Sequence, residues 1–146
     1  MFGSAAKIGV IVPSLNNTLE PELNQMTPDD IAVYATRLPL EQGVSEDLRL
    51  MSTNLEAASK MLKHAEVDVI AFCCTSGSLI EGKNWDAVLC KRIRQTTSLP
   101  VTTTATSIIK SMKKLKLKSV SIATPYIQEV NEIECNFIES HGIKVK

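Results

Sequence analysis

The chain has 146 residues, with 16 basic and 16 acidic side chains and a formal net charge of zero, so its overall charge gives no reason to expect nucleic acid or an anionic membrane surface as a partner. Aromatic residues make up only 4%, too few for base-stacking platforms. The opening MFGSAAKIGVIVPS reads as a strand rather than a secretory leader, and no apolar run approaches the roughly 20 residues of a membrane span. The expected compartment is therefore the cytoplasm.

Lys7–Pro13 (KIGVIVP) is predicted to be a strand ended by proline. Asn16–Met26 carries Leu19, Leu23 and Met26 at helical spacing, and Ile31–Leu38 is β-rich. From Ser45 to His64 one helical face collects Leu48, Met51, Leu55, Ala58 and Leu62. Val67–Cys74 (VDVIAFCC) is almost continuously apolar, the pattern of a strand buried on both faces in a parallel sheet. A helix follows over Asn84–Gln95, with Trp85, Val88, Leu89 and Ile93 facing in. Pro100–Thr103 is a short strand. The helix Thr104–Leu115 turns Ala105, Ile108, Ile109, Met112 and Leu115 inward. Ser119–Ala123 is a strand, and Tyr126–His141 is a helix with Ile127, Val130, Ile133 and Phe137 inside. Gly142 ends that helix, and Ile143–Lys146 begins another strand.

This alternation predicts an α/β fold, a doubly wound parallel sheet with helices on both faces, in the form of a flavodoxin-like lobe. The basic run Lys110–Ser119 fits the solvated end of a helix, where lysines also suit the macrodipole.

In open parallel sheets ligands bind beyond the carboxyl ends of the strands. Those ends carry Ser14, Asn16, Asn17 and Thr18 after the first strand, Thr36 and Arg37 after the second, Cys74, Thr75, Ser76 and Ser78 after the third, and Thr124 and Tyr126 later in the chain. Cys74 is the sharpest of these. A helix starting at Thr75 would offer free N–H groups and a positive partial charge, which favour a thiolate and create an oxyanion site. Cys73 is expected on the opposite face, and Cys90 and Cys135 within helices as packing. One of Asn16 and Asn17 can cap the helix while its neighbour donates to a carboxylate. Arg37 fits either a bidentate carboxylate clamp or a salt bridge. His64 and His141 sit near helix ends and are assigned no catalysis. The spacing of cysteines and histidines predicts no metal site, and no glycine-rich nucleotide loop occurs. What remains is a thiol with hydroxyl and amide donors and no cofactor.

These segments resemble a known group. IGVIVPSLNNTLEPE is similar to the opening of maleate cis-trans isomerases. AFCCTSGSLIEG resembles their first cysteine motif and the Gly-Thr-Ser segment of arylmalonate decarboxylases. KSVSIATPYIQEVNE is similar to the Thr-x-Tyr-x-x-x-Val-Asn motif of the same group, and LPVTTTATSIIKSMKKLKLKSV joins the two in matching order. The group is the Asp/Glu racemase superfamily. The resemblance implies two similar α/β lobes with the active site between them, each lobe giving one cysteine in the racemases and isomerases. It puts Cys74 at the first cysteine position as the catalytic residue, Asn16 on a substrate carboxylate, Thr75 and Ser76 in the hydroxyl-bearing segment, and Tyr126 on the same oxygens. The decarboxylases have glycine where Cys74 stands.

The resemblance thus implies a cofactor-independent, maleate isomerase-like enzyme acting on a small dicarboxylate with a cysteine nucleophile. The alternatives are an Asp/Glu-type racemase acting on an amino acid by cysteine acid/base chemistry, or a non-catalytic module that binds small carboxylates. A homo-oligomer is expected, with neither nucleic acid nor membrane as partner. Residues 1–116 are expected to form one lobe and residues 117–146 the incomplete start of a second. A chain ending at Lys146 is expected either to belong to a longer protein or to cover that second piece by self-association.

Overall fold

The computed structural model describes residues 3–146. Its centre is the strand β1 (Ala6–Pro13), in which Val10, Ile11 and Val12 are all essentially inaccessible to solvent. Consecutive buried residues require cover on both faces, as in a parallel sheet. β1 pairs in parallel with β2 (Ile31–Leu38), from Ala6↔Ile31 to Pro13↔Leu38. On its other side it pairs with β3 (Val69–Phe72), from Ile8↔Val69 to Ile11↔Phe72. β4 (Val101–Thr103) pairs with β3, so the four-stranded order is β2-β1-β3-β4. The chain builds outward from β1 to β2, then crosses back to β3 and continues the other way. The order therefore reverses between β1 and β3, and the crevice for a ligand opens beyond their carboxyl ends.

The helices are α1 (Leu19–Met26), α2 (Ser45–Met51), α3 (Leu55–His64), α4 (Thr75–Leu79), α5 (Trp85–Thr97) and α6 (Thr104–Lys114). α3 packs against both α5 and β2. Leu48, Met51, Leu55, Ala58 and Leu62 join Ile11, Ile70, Phe72, Leu89 and Ile93 in the main core. Each large side chain buried there contributes roughly 1.5–3 kcal/mol. The expected single helix Ser45–His64 is broken by one 3-10 turn at Ser52–Asn54. There Ser52 Oγ donates to Arg49 O and Thr53 Oγ1 donates to Leu50 O, both at 2.7 Å. Such side-chain bonds compete with the helical ladder.

After α6 come β5 (Ser119–Val120), α7 (Gln128–Glu139) and β6 (Lys144–Val145). Among the described residues β5 pairs with β6 alone, as a separate two-stranded parallel sheet. α7 lies against α4. Phe137, Ile138 and Ile143 form a second core cluster with Leu79, Ala105 and Ile109.

Several inward faces need correction. Val88, Leu115 and Ile127 are exposed, as is Met26, and α1 buries no residue at all. The inner face of α7 instead includes Glu134, which is buried. The lysines of the basic run are exposed. No helix among the described residues is long and apolar enough to cross a membrane.

Candidate active site

The strand β3 stops at Phe72, and Cys74 leaves it in extended conformation to become the N-cap of α4. Cys73 N–H still donates to Ile11 O at 2.8 Å, which ties this exit to the central strand. Cys74 Sγ accepts the Gly77 N–H at 3.3 Å and lies 3.8 Å from Ser76 Oγ. The short α4 is anchored from outside. Trp85 Nε1 donates to Gly77 O at 3.1 Å, and Ser78 Oγ accepts the Ala105 N–H at 3.1 Å while donating to Thr75 O at 2.9 Å. A thiol held on such a frame has a defined direction, as a nucleophile requires.

That direction is into a cavity of about 560 Å³. The cavity gathers Asn16, Asn17 and Thr18 from the β1–α1 loop, Cys74, Thr75 and Ser76 from the β3–α4 junction, and Tyr126 from the turn before α7. All five expected site residues, Asn16, Cys74, Thr75, Ser76 and Tyr126, thus line one space. The sequence did not point to Thr104 or to the apolar wall of Leu15, Leu40 and Leu48, which also line it. Cys73, expected on the opposite face, lines the same cavity. The strand has already ended at Phe72, so the alternation of a pleat does not carry through Cys73–Cys74. No charged side chain lines the cavity among the described residues.

The N-cap position of α1 is Thr18, whose own side chain makes no capping bond, and Asn16, two residues earlier, serves the helix start instead. Its Oδ1 accepts the N–H groups of Thr18 at 3.1 Å and Leu19 at 3.0 Å, which are free at the start of α1. With its oxygen so engaged, the Asn16 amide keeps its NH₂ donors for a ligand. Arg37 is not in the cavity. Its guanidinium donates to Ser14 O and Asn16 O and pairs with Glu20.

Tyr126 precedes α7 rather than opening it, because the helix begins at Gln128. The turn is held by its own side chains. Thr124 Oγ1 donates to Asn131 Oδ1, Asn131 Nδ2 donates to Tyr126 O at 3.0 Å, and Tyr126 N–H donates to Thr124 Oγ1 at 3.3 Å. Farther along, Ser45 Oγ donates to Glu129 Oε1 at 2.6 Å and joins α2 to α7.

The electrostatics correct one expectation. Burial pushes the Cys74 thiol up, and the Gly77 N–H and Ser76 hydroxyl only partly oppose this. The helix start therefore does not yield a resting thiolate: desolvation at a residue only 8% exposed outweighs a five-residue helix. Cys73 is raised to about 11 by burial, with a smaller contribution from Cys74. Burial likewise raises Tyr126, with smaller contributions in the same direction from the neighbouring Glu134 and Cys74, and the hydroxyls of Ser76 and Thr75 oppose it. Its phenol is thus a proton donor at neutral pH. Glu134 is a residue sequence reasoning missed. It is buried, its Oε2 has no hydrogen-bond partner among the described residues, and burial raises its pKa. Its one sequence signal was its place four residues after Val130. His64 and His141 do not line the cavity. No group of three or more His, Cys, Asp or Glu suited to a metal occurs among the described residues.

The fold and the site together define a parallel α/β unit with a cysteine at the strand-order reversal, ringed by neutral donors. The sequence profile of arylmalonate decarboxylase matches residues 8–146, and the chain belongs to that family. It is 28% identical over 152 aligned positions to the maleate isomerase of Pseudomonas putida KT2440, covering 96% of this chain and 61% of that protein. The crystal structure of the maleate isomerase Iso from Pseudomonas putida S16 superposes with a TM-score of 0.90 at 26% identity, over 97% of this chain and 62% of that one. A Nocardia farcinica maleate cis-trans isomerase mutant with a covalently bound succinylcysteine intermediate shares the fold, with a TM-score of 0.90 at 21% identity over 97% of this chain and 61% of that one. The chain thus spans about three fifths of the length of these relatives.

Proposed function

We propose that this chain carries the nucleophile-bearing part of a cofactor-independent isomerase that interconverts the cis and trans forms of a small dicarboxylate such as maleate. The observation that carries the reading is the convergence of Cys74 Sγ with neutral donors from three separate segments in one cavity. In this reading Asn16 holds one carboxylate, while Thr75, Ser76 and Tyr126 surround the other.

Cys74 adds to one alkene carbon. A carbon–sulfur bond forms, and the π electrons move onto the adjacent carboxylate as an enediolate. The hydroxyl donors stabilise that developing charge. The former double bond is now single and rotates. The electrons then return, the carbon–sulfur bond breaks, and the thiolate leaves the trans alkene. Cys74 is a thiol at rest, so its proton passes to a carboxylate of the substrate before attack and returns to the sulfur once the thiolate has left. A thiolate of raised pKa is the stronger nucleophile once formed. Burial keeps water from the adduct.

The neutral N–H and O–H donors that line the cavity suit substrate carboxylates. In this reading residues 1–116 are one lobe, residues 117–146 open a second, and the protein works as a homo-oligomer.

The test is proton NMR of maleate with the wild-type protein and with Cys74→Ser. Fumarate should appear only with wild type, because an alcohol is a far weaker nucleophile at neutral pH. Mass analysis of the quenched reaction should find a succinyl adduct on the peptide containing Cys74. Equal turnover by Cys74→Ser would eliminate this mechanism.

A further inference from the structure

We propose that Arg37 is a positioning residue: it holds the β1–α1 loop so that the Asn16 amide faces the cavity. The inference rests on the isomerase reading for its kinetic consequence, though not for its geometry. Arg37 sits at the end of β2 and does not line the cavity. Its Nη1 donates to two loop carbonyls, Ser14 O at 3.2 Å and Asn16 O at 2.6 Å, while Nη2 pairs with Glu20 at the start of α1. The planar fork of one guanidinium thus reaches both ends of the loop at once.

The link to Asn16 is direct. The carbonyl that Arg37 holds most closely belongs to Asn16 itself. The side-chain oxygen of the same residue is fixed by the Thr18 and Leu19 N–H groups. A carboxamide is planar, so fixing the backbone and Oδ1 sets where the NH₂ group points. Exposed ion pairs alone contribute little to stability, and the Arg37–Glu20 pair is partly exposed on both sides. The effect of Arg37 lies in loop geometry, with Glu20 balancing its charge. Lysine in its place would keep the charge, but a single ammonium cannot reproduce the fork.

Two readouts test this in the full chain. The first is hydrogen exchange. In Arg37→Ala the Thr18 and Leu19 amides should exchange at least about tenfold faster, while those of α3 and α5 stay unchanged, as local opening predicts. The second is kinetic. KM for maleate should rise about tenfold with kcat within about twofold, because carboxylate binding is loosened while Cys74 stays in place. Added methylguanidinium should restore part of the KM, and Arg37→Lys should fall between wild type and Arg37→Ala. Unchanged exchange at Thr18 and Leu19, or a loss confined to kcat, would overturn the proposal. If wild type neither binds nor converts maleate, the isomerase reading fails and the exchange result alone decides the role of Arg37. Should Arg37→Ala not fold, Arg37→Lys supplies both measurements.

Discussion

Replacing Gly77 with alanine probes the site at its tightest point. A Cβ there would lie 2.7 Å from Met51 Cε, 3.0 Å from Cys74 Sγ and 3.4 Å from Cys74 Cβ. Met51 Cε is the end of a flexible chain and can move, though Met51 is only 1% exposed and has little room. The sulfur is less free, because it is fixed by the Gly77 N–H at 3.3 Å. Ordinary carbon contacts begin near ~3.5 Å, so Sγ must shift by about half an ångström. Overpacking of this kind costs about 1–3 kcal/mol, offset by about 1 kcal/mol from the better helix propensity of alanine. Urea unfolding should therefore show a modest net loss, on the order of 0–2 kcal/mol. Turnover at saturating maleate should fall far more, by at least about tenfold, because a reacting atom is displaced. Wild-type turnover in a folded Gly77→Ala variant would refute the assignment of Cys74 as the attacking group.

Two further outcomes follow from the same geometry. Tyr126→Phe should fold normally yet lose roughly 10²–10³ in kcat, the usual cost of one oxyanion donor; steady-state kinetics beside circular dichroism checks both halves. Glu134 has a pKa raised by burial above its ordinary 4.5. Its contribution to stability is fully present below that ordinary value and is lost as pH rises through the folded one. Glu134→Gln removes this titration, so calorimetric melting from about pH 4 to about pH 8 should show Tm shifting progressively in favour of the variant. A gap independent of pH would show that Glu134 does not titrate as a buried group.

Much of the architecture was legible in the residue pattern. Alternating apolar runs and helical faces implied a parallel α/β unit, and the run VIVP followed by SLNNT placed a donor loop at a strand end. Cys74 before TSGS marked the third strand end as the place for chemistry, and the structure brings it into one cavity with Asn16 and Tyr126. These are local properties, since periodicity and chain punctuation depend on neighbours within a few residues. What depends on distant neighbours was decided only by tertiary structure. The break at Ser52–Asn54 had a local signal in its hydroxyls, but the burial of Glu134 and the exposure of Ile127 depend on how α7 meets α4. Arg37 finds its acceptors 21 and 23 residues away, which no spacing rule connects. Above all, the sequence alone suggested an activated Cys74, whereas in the fold desolvation prevails over the helix start. A helix N-terminus can be read from consecutive residues; the dielectric around it is made by the whole molecule.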